Sequence, residues 1–428
     1  MPPPQNPSPP FVSKPGSTST LPVAAGSRLL HSIALGNFLS FGPETPCLPL
    51  GNLNVLVGPN GSGKSNLLEA LSLLRSCVNL PASTSREGND LRSVINRGGG
   101  VGEWVWKGAP HGNATLEAFL ANPSGSQPLR HVLSFRAEQQ SFRIEDESIE
   151  NERASPGQAD VYFYYRYQQG QPMINEVIDE EQRRRLRPIR DKVHRDLSIL
   201  AQYRDPEKYP ELTYLFSIYE RIRLYREWAF GRNTVFREPQ KADLRNDRLE
   251  EDFSNLGLFL NRLRRQSKVK AALLSGLRDL YDGLTDFDIS IEGGTVQVFF
   301  TEGDFTIPAT RLSDGSVRYL CLLAILCDPE PPPLIGLEEP ELGLHPDLLP
   351  NVADMLVAAA QRTQLIVTTH SDILVDALTE RPETLVICEK HEGRTTMRHP
   401  PPEEVQPWLE KYRLGQLWTR GQLGGKRW

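Results

Sequence analysis

Apolar positions follow two rhythms along the chain. Short apolar runs, "NVLVG" from Asn54, "LIGL" from Leu334, "QLIVT" from Gln364 and "TLVIC" from Thr384, are too brief for helices and read as buried strands. Helical spacing appears between them, with Leu67, Leu68, Leu71 and Leu74 after the first run and "LLPNVADMLVAAAQR" between the second and third. Strands alternating with helices predict an α/β fold. From about Glu103 to Tyr167, segments such as "HVLSFRAEQQSFRIEDE" and "VYFYYRY" alternate between turns and predict an antiparallel β-meander. From about Glu180 to Leu284 the pattern turns helical, in "RDKVHRDLSILAQYR", "YLFSIYERIRLYREWAF" and "DFSNLGLFLNRLRRQ". No sustained heptad run supports long coiled-coil arms, so a compact head is expected.

Length and composition bound this picture. A chain of 428 residues exceeds one ordinary core, so a large domain with an insertion, or two domains, is expected. We divide it into a Pro/Ser-rich tail predicted to be disordered (1–27), an N-terminal lobe with the meander (28–175), a helical insertion (176–290) and a C-terminal lobe (291–428). No apolar run approaches the roughly 20 residues of a membrane helix, which predicts a soluble chain without a membrane partner. Five cysteines without a C-x-x-C pair fit buried thiols in a reducing, cytoplasmic compartment better than disulfides or zinc. The net charge of −6 argues against nucleic acid coating the whole surface, but leaves room for a local basic patch.

The chemistry lies at the strand ends. The first run leads into Gly58, Pro59, Asn60, Gly61, Ser62, Gly63, Lys64 and Ser65, which is G-x-x-x-x-G-K-S between a strand and a helix. Glycines let backbone N–H groups wrap a phosphate, and the helix dipole favours its charge. Lys64 would reach the β- and γ-phosphates of ATP, and the Ser65 hydroxyl would ligate Mg²⁺. The second run ends on Glu338 and Glu339, the first placed for the metal and the second for the attacking water. The third ends on His370, placed to bond the γ-phosphate or that water. The turn "RLSDGSVRYL" reads as a helix start capped by Ser313.

The ordered set "GPNGSGKSN", "LSDGS", "LIGLEEPE", "LGLHP" and "TTHS" resembles an ABC-type ATPase head of the SMC and RecF kind, within the compact prokaryotic predicted ATPases of that superfamily. Asn66 after Lys-Ser is typical of its DNA-associated branch. The resemblance implies a Walker A loop at Gly58 to Ser65, a Walker B metal position at Glu338, a catalytic Glu339 and a switch His370. It further implies that Ser313 and Gly315 form the signature that meets ATP held by a second copy, making the protein an ATP-dependent homodimer. Glu338 departs from the usual Asp, Asp314 replaces a glycine of the signature, and no glutamine loop is assigned. The implied setting is DNA repair or maintenance, or defence against phage; the alternative is a slow, ATP-gated scaffold that recruits an effector protein. The closing segment lacks the length and acidic spacing of the nuclease fused to related OLD proteins.

Three arginine-rich clusters in the insertion, at Arg183 to Arg195, Arg221 to Arg232 and Arg262 to Lys270, suggest a DNA-binding lobe. Nearby Glu180, Glu181, Glu220, Glu227, Glu250 and Glu251 favour a solvated face or protein contact instead.

Overall fold

The computed structural model describes residues 28–425 except 82–87, 124, 140, 169, 180–182, 190–192, 229–230, 232–233, 236–237 and 281–282. The tail expected to be disordered lies outside the described residues, as do Arg190, Lys192, Arg232, Glu180 and Glu181.

The first half runs β1 (Leu30–Gly36), β2 (Leu48–Pro49), β3 (Leu53–Val57), α1 (Lys64–Ser76), α2 (Leu91–Arg97), α3 (Val101–Trp104), β4 (Ala114–Leu120), β5 (Leu129–Glu138), β6 (Ser141–Asn151), β7 (Phe163–Gln168), β8 (Gln171–Val177) and β9 (Arg184–Pro188). It continues through α4 (Ile199–Gln202), α5 (Pro210–Arg221), β10 (Arg223–Tyr225), β11 (Gln240–Lys241), α6 (Leu256–Leu263), α7 (Ser267–Leu280), β12 (Leu284–Glu292), β13 (Thr295–Glu302) and β14 (Phe305–Pro308). The last part holds α8 (Asp314–Leu326), β15 (Leu334–Glu338), α9 (Leu349–Ala359), β16 (Gln364–Thr368), α10 (Asp372–Asp376), β17 (Leu385–His391), β18 (Arg394–Arg398), α11 (Pro402–Leu409) and α12 (Leu414–Thr419).

Three sheets organise these elements. The central one has the order β10-β15-β16-β3-β17-β18, parallel except where β18 returns against β17. β3 and β16 are buried at every position, as continuous apolar runs covered on both faces require. Alternation along β3 divides the interior: Leu53, Val55 and Val57 join one core, whereas Leu56 joins the other. The first of these cores surrounds α6 to α9, and α8 is buried on nearly every side from Val317 to Leu326. The second core lies beneath the antiparallel sheet β2-β1-β4-β5-β6-β7-β8-β9, against α1 and α5. Along β4 buried and half-buried positions alternate, the signature of a sheet with one face packed on a core.

The helical reading of 176–290 needs correction. β9 extends the meander, β10 lies at the edge of the central sheet, and β11 and β12 belong to a third sheet with β13 and β14. The stretch "RIRLYREWAF" continues the helical spacing of α5, yet α5 ends at Arg221. Parallel pairing of Arg223, Leu224 and Tyr225 with Ile335, Gly336 and Leu337 supplies backbone partners that local periodicity does not reveal. Among the described residues, no helix is long and apolar enough to cross a membrane.

Candidate functional site

At the end of β3 the backbone turns through left-handed glycines, Gly61 at φ 75° and Gly63 at φ 97°. Gly63 is also pressed from behind, since a Cβ there would lie 2.4 Å from Thr395 Oγ1 and 2.9 Å from Ser40 Oγ. Behind the loop runs a chain of hydrogen bonds. Asn66 Nδ2 donates to Ser40 Oγ (2.6 Å), which lies 2.6 Å from Thr395 Oγ1, and Thr395 Oγ1 donates to the Ser62 carbonyl (3.0 Å). Because the single Thr395 proton points at Ser62, Ser40 donates to Thr395. Asn66 therefore braces the loop from the first turn of α1.

Lys64 is only 5% exposed, and its ammonium donates across the loop to the carbonyls of Gly58 (2.8 Å) and Pro59 (3.1 Å). Burial lowers its pKa from the ordinary value, opposed by the charges of Glu339, Glu341 and Glu338. The Asn66 N–H donates to the Gly63 carbonyl (3.0 Å), while the N–H groups of Lys64 and Ser65 at the start of α1 point to an anion's place at its N-terminus.

β15 and β16 bring the acidic and histidine positions beside this loop. Ser65 Oγ hydrogen-bonds Glu338 Oε1, while Glu338 Oε2 accepts from Arg226 Nε at 2.8 Å. The other arm of Arg226 reaches Glu69 at 2.8 Å, and Trp228 Nε1 donates to the Glu338 carbonyl at 2.6 Å. Glu339 adopts φ 46°, with its N–H on the Thr368 carbonyl (3.0 Å) and its carboxylate 3.4 Å from His370 Nε2. A non-glycine residue in the left-handed region costs about 1–2 kcal/mol, and here it turns the chain sharply between the two acids. Arg318 Nη2 donates to the Glu339 carbonyl (2.9 Å), and its guanidinium lies 4.6 Å from the Trp228 ring centroid. Burial brings Arg318 down to about 10.

One further carboxylate supports the histidine. Glu341 Oε1 accepts from Thr369 Oγ1 (2.7 Å) and the His370 N–H (2.8 Å), while its buried Oε2 has no hydrogen-bond partner. Burial raises this carboxyl above its ordinary value, with the two donors opposing.

The Ser65 hydroxyl and Glu338 carboxylate form a hard-oxygen pair at the phosphate loop. Such a pair suits Mg²⁺, which takes few protein ligands and completes its shell with phosphate oxygens and water. Among the described residues no group of three or more His, Cys, Asp or Glu side chains forms a metal site of its own.

The signature turn lies elsewhere. Ser313 caps α8 by accepting from the Ser316 N–H (3.1 Å), and both Ser313 and Asp314 are exposed. Gly315 meets the loop after β15: a Cβ on it would lie 2.7 Å from the Gly343 carbonyl. Through that contact and Arg318 the turn is coupled to Glu339, whereas no hydrogen bond or ion pair found among the described residues joins Ser313 or Gly315 to the 58–66 loop.

Much of the positive charge expected to meet DNA is already paired. Arg184 pairs with Glu211, Arg187 with Glu176, Arg195 with Glu145, Arg226 with Glu338, Arg262 with Asp328, Arg264 with Asp288 and Lys270 with Asp286. Sequence reasoning passed over Ser40, Thr395, Arg318 and Glu341, and read Arg226 and Trp228 as part of a basic cluster rather than as partners of Glu338. "GLEEPE" offered a signal only for Glu341, the third acid of its run.

Residues 53–376 match the family model described as "AAA domain, putative AbiEii toxin, Type IV TA system". Over 113 residues the chain is 35% identical to the chromosome partition protein Smc of Desulfitobacterium hafniense, covering 26% of this chain and 8% of that protein. Over 56 residues it is 38% identical to structural maintenance of chromosomes protein 1 of Caenorhabditis elegans, covering 13% and 4%. The chain thus spans less than a tenth of the length of these curated relatives. A solved Smc head with an extended coiled coil, bound to the C-terminal domain of ScpA from Pyrococcus furiosus, superposes with a TM-score of 0.53 at 13% identity over 90% of this chain and 99% of that one. An Smc head bound to the C-winged helix domain of ScpA gives 0.51 at 13% identity, over 86% and 97%.

Proposed function

Because the chain belongs to this AAA-domain family of SMC/RecF-like P-loop ATPases, we propose that it binds ATP with Mg²⁺ and hydrolyses it. The observation that carries this reading is the meeting of Ser65 with Glu338 beside the Glu339–His370 pair, all at one end of the central sheet. Lys64 and the N–H groups opening α1 would bind the phosphates, and Ser65 with Glu338 would hold the metal. A bound magnesium ion would supply neutralisation of phosphate charge there. Glu339 would take a proton from the water attacking the γ-phosphorus, and His370 would hold Glu339 and that water in line. As the new P–O bond forms, the bond between the γ-phosphorus and the bridging oxygen breaks, so ADP keeps the bridging oxygen and the inorganic phosphate carries the oxygen of water.

Exposure of Ser313 and Asp314 supports a homodimer in which each signature turn completes the other copy's nucleotide site. The Smc names of the relatives support a role in DNA maintenance, and the family's toxin description supports defence. The ScpA-bound heads favour a second reading, in which the ATP-bound state recruits an effector protein.

Glu339→Gln should retain ATP binding while phosphate release falls by about 100-fold or more. Light scattering of that variant with ATP and Mg²⁺ should show a dimer. Wild-type turnover would remove Glu339 from its role, and an ATP-loaded monomer would dismiss the dimer.

A further inference from the structure

The edge strand β10 opens on Arg223, paired with Ile335 at the end of the central sheet away from Glu338. A cavity of about 360 Å³ lies there, walled by Leu249, Phe259, Ile325 and Ile335. Arg221, Arg223 and Arg248 also line it. Arg223 is 5% exposed; one Nη donates to the carbonyls of Glu220 and Ile222, but its Nε is buried without a partner. Arg248 Nε is likewise buried and unpartnered. No side-chain hydrogen bond or ion pair of Arg221 is found among the described residues.

Three carboxylates, of Asp247, Asp328 and Glu330, also line the cavity, and their ion pairs are with other arginines. Asp247 is held by Arg245 at 2.6 Å, Asp328 by Arg262 at 3.0 Å, and Glu330 lies 3.8 Å from the same Arg262. Glu251, whose charge acts on Arg223, accepts from the Leu224 N–H (2.6 Å) and pairs with Arg75. Burial first, and the Arg248 charge second, lower the Arg223 pKa from its ordinary value. Two guanidiniums that line one cavity, each with a buried Nε that has no partner among the described residues, carry a desolvation and repulsion cost that an anion would offset.

We propose that the cavity lined by Arg221, Arg223 and Arg248 is a second anion site, which takes a free, small polyphosphate-type anion. Guanidiniums match phosphate oxygens in charge and fork geometry, and a volume of about 360 Å³ admits one or two phosphoryl groups but no duplex. The site is independent of the ATP reading, because none of the three arginines belongs to the phosphate loop or the Glu338–Glu339 strand end.

The test uses the full chain carrying Lys64→Ala, which removes the ammonium of the phosphate loop, with inorganic pyrophosphate as probe in calorimetry. Pyrophosphate should bind and raise the melting temperature by a few degrees. Adding Arg248→Gln or Arg221→Gln, neither of which breaks an internal pair, should weaken binding by about tenfold or more. Without pyrophosphate, Arg248→Gln should leave the melting temperature unchanged or higher. Failure of the Lys64→Ala protein to bind pyrophosphate, or equal affinity in the arginine variants, would overturn the site. Tighter binding of a 5′-phosphorylated dinucleotide than of pyrophosphate would overturn the free anion as its occupant.

Discussion

Glu339 and Glu341 are separated by a single proline, yet they occupy different surroundings. Glu339 is partly exposed and faces His370, while Glu341 has one oxygen buried and the other bonded to the backbone that carries His370. Burial raises the Glu341 carboxyl above its usual 4.5, so the native state binds its proton more tightly than the unfolded chain does. Its contribution to stability is complete below the unfolded value and is lost as pH rises through the raised folded value. Glu341→Gln keeps an acceptor for Thr369 and His370 and cannot ionise. Denaturant unfolding across pH should therefore show a shallower loss of stability above pH 4.5 in the variant. Parallel curves would show that Glu341 does not titrate in this way. The sequence exposes the acids as a run, but their separate roles depend on which oxygen Thr369 and His370 reach.

At the scale of elements, the phosphate loop rests on its neighbours. Gly61 and Gly63 both need left-handed backbone, but only Gly63 is backed by Ser40 and Thr395. Gly61→Ala should cost about 1 kcal/mol through the backbone alone. Gly63→Ala adds the displacement of the Ser40–Thr395 pair and should cost about 2–4 kcal/mol, with loss of nucleotide binding. Thermal unfolding and a fluorescent nucleotide titration would check the order, and equal costs would deny the bracing. The loop, β3 and α1 were legible because strand, glycines and helix are contiguous. β10 was not, because a three-residue strand leaves no periodicity and its partner lies far along the chain. The contacts of Arg226 and Trp228 with Glu338, placed by that strand, were hidden with it.

For the whole molecule, the eight-stranded sheet is joined to the chain leading into α5 by a buried polar cluster. Glu147 accepts from Ser198 Oγ (2.5 Å) and the Ile199 N–H (2.9 Å), and lies 3.4 Å from His131, whose Nδ1 is 3.0 Å from the Tyr219 hydroxyl. Glu147→Ala leaves these groups buried without their shared partner. Unfolding in denaturant should show a loss of about 3–5 kcal/mol, and a loss below about 1 kcal/mol would show that water replaces the carboxylate. Sequence alone determined the α/β class, the phosphate loop and the acidic and histidine strand ends, because each is written in contiguous residues whose local geometry follows from their types. Only the tertiary structure decided that Arg226 holds Glu338, that Glu341 seats His370, that Gly315 leans on Gly343, and that much of the insertion's basic charge is already paired among the described residues. Those outcomes depend on side chains brought together from distant segments by strand order and packing, which local spacing does not encode.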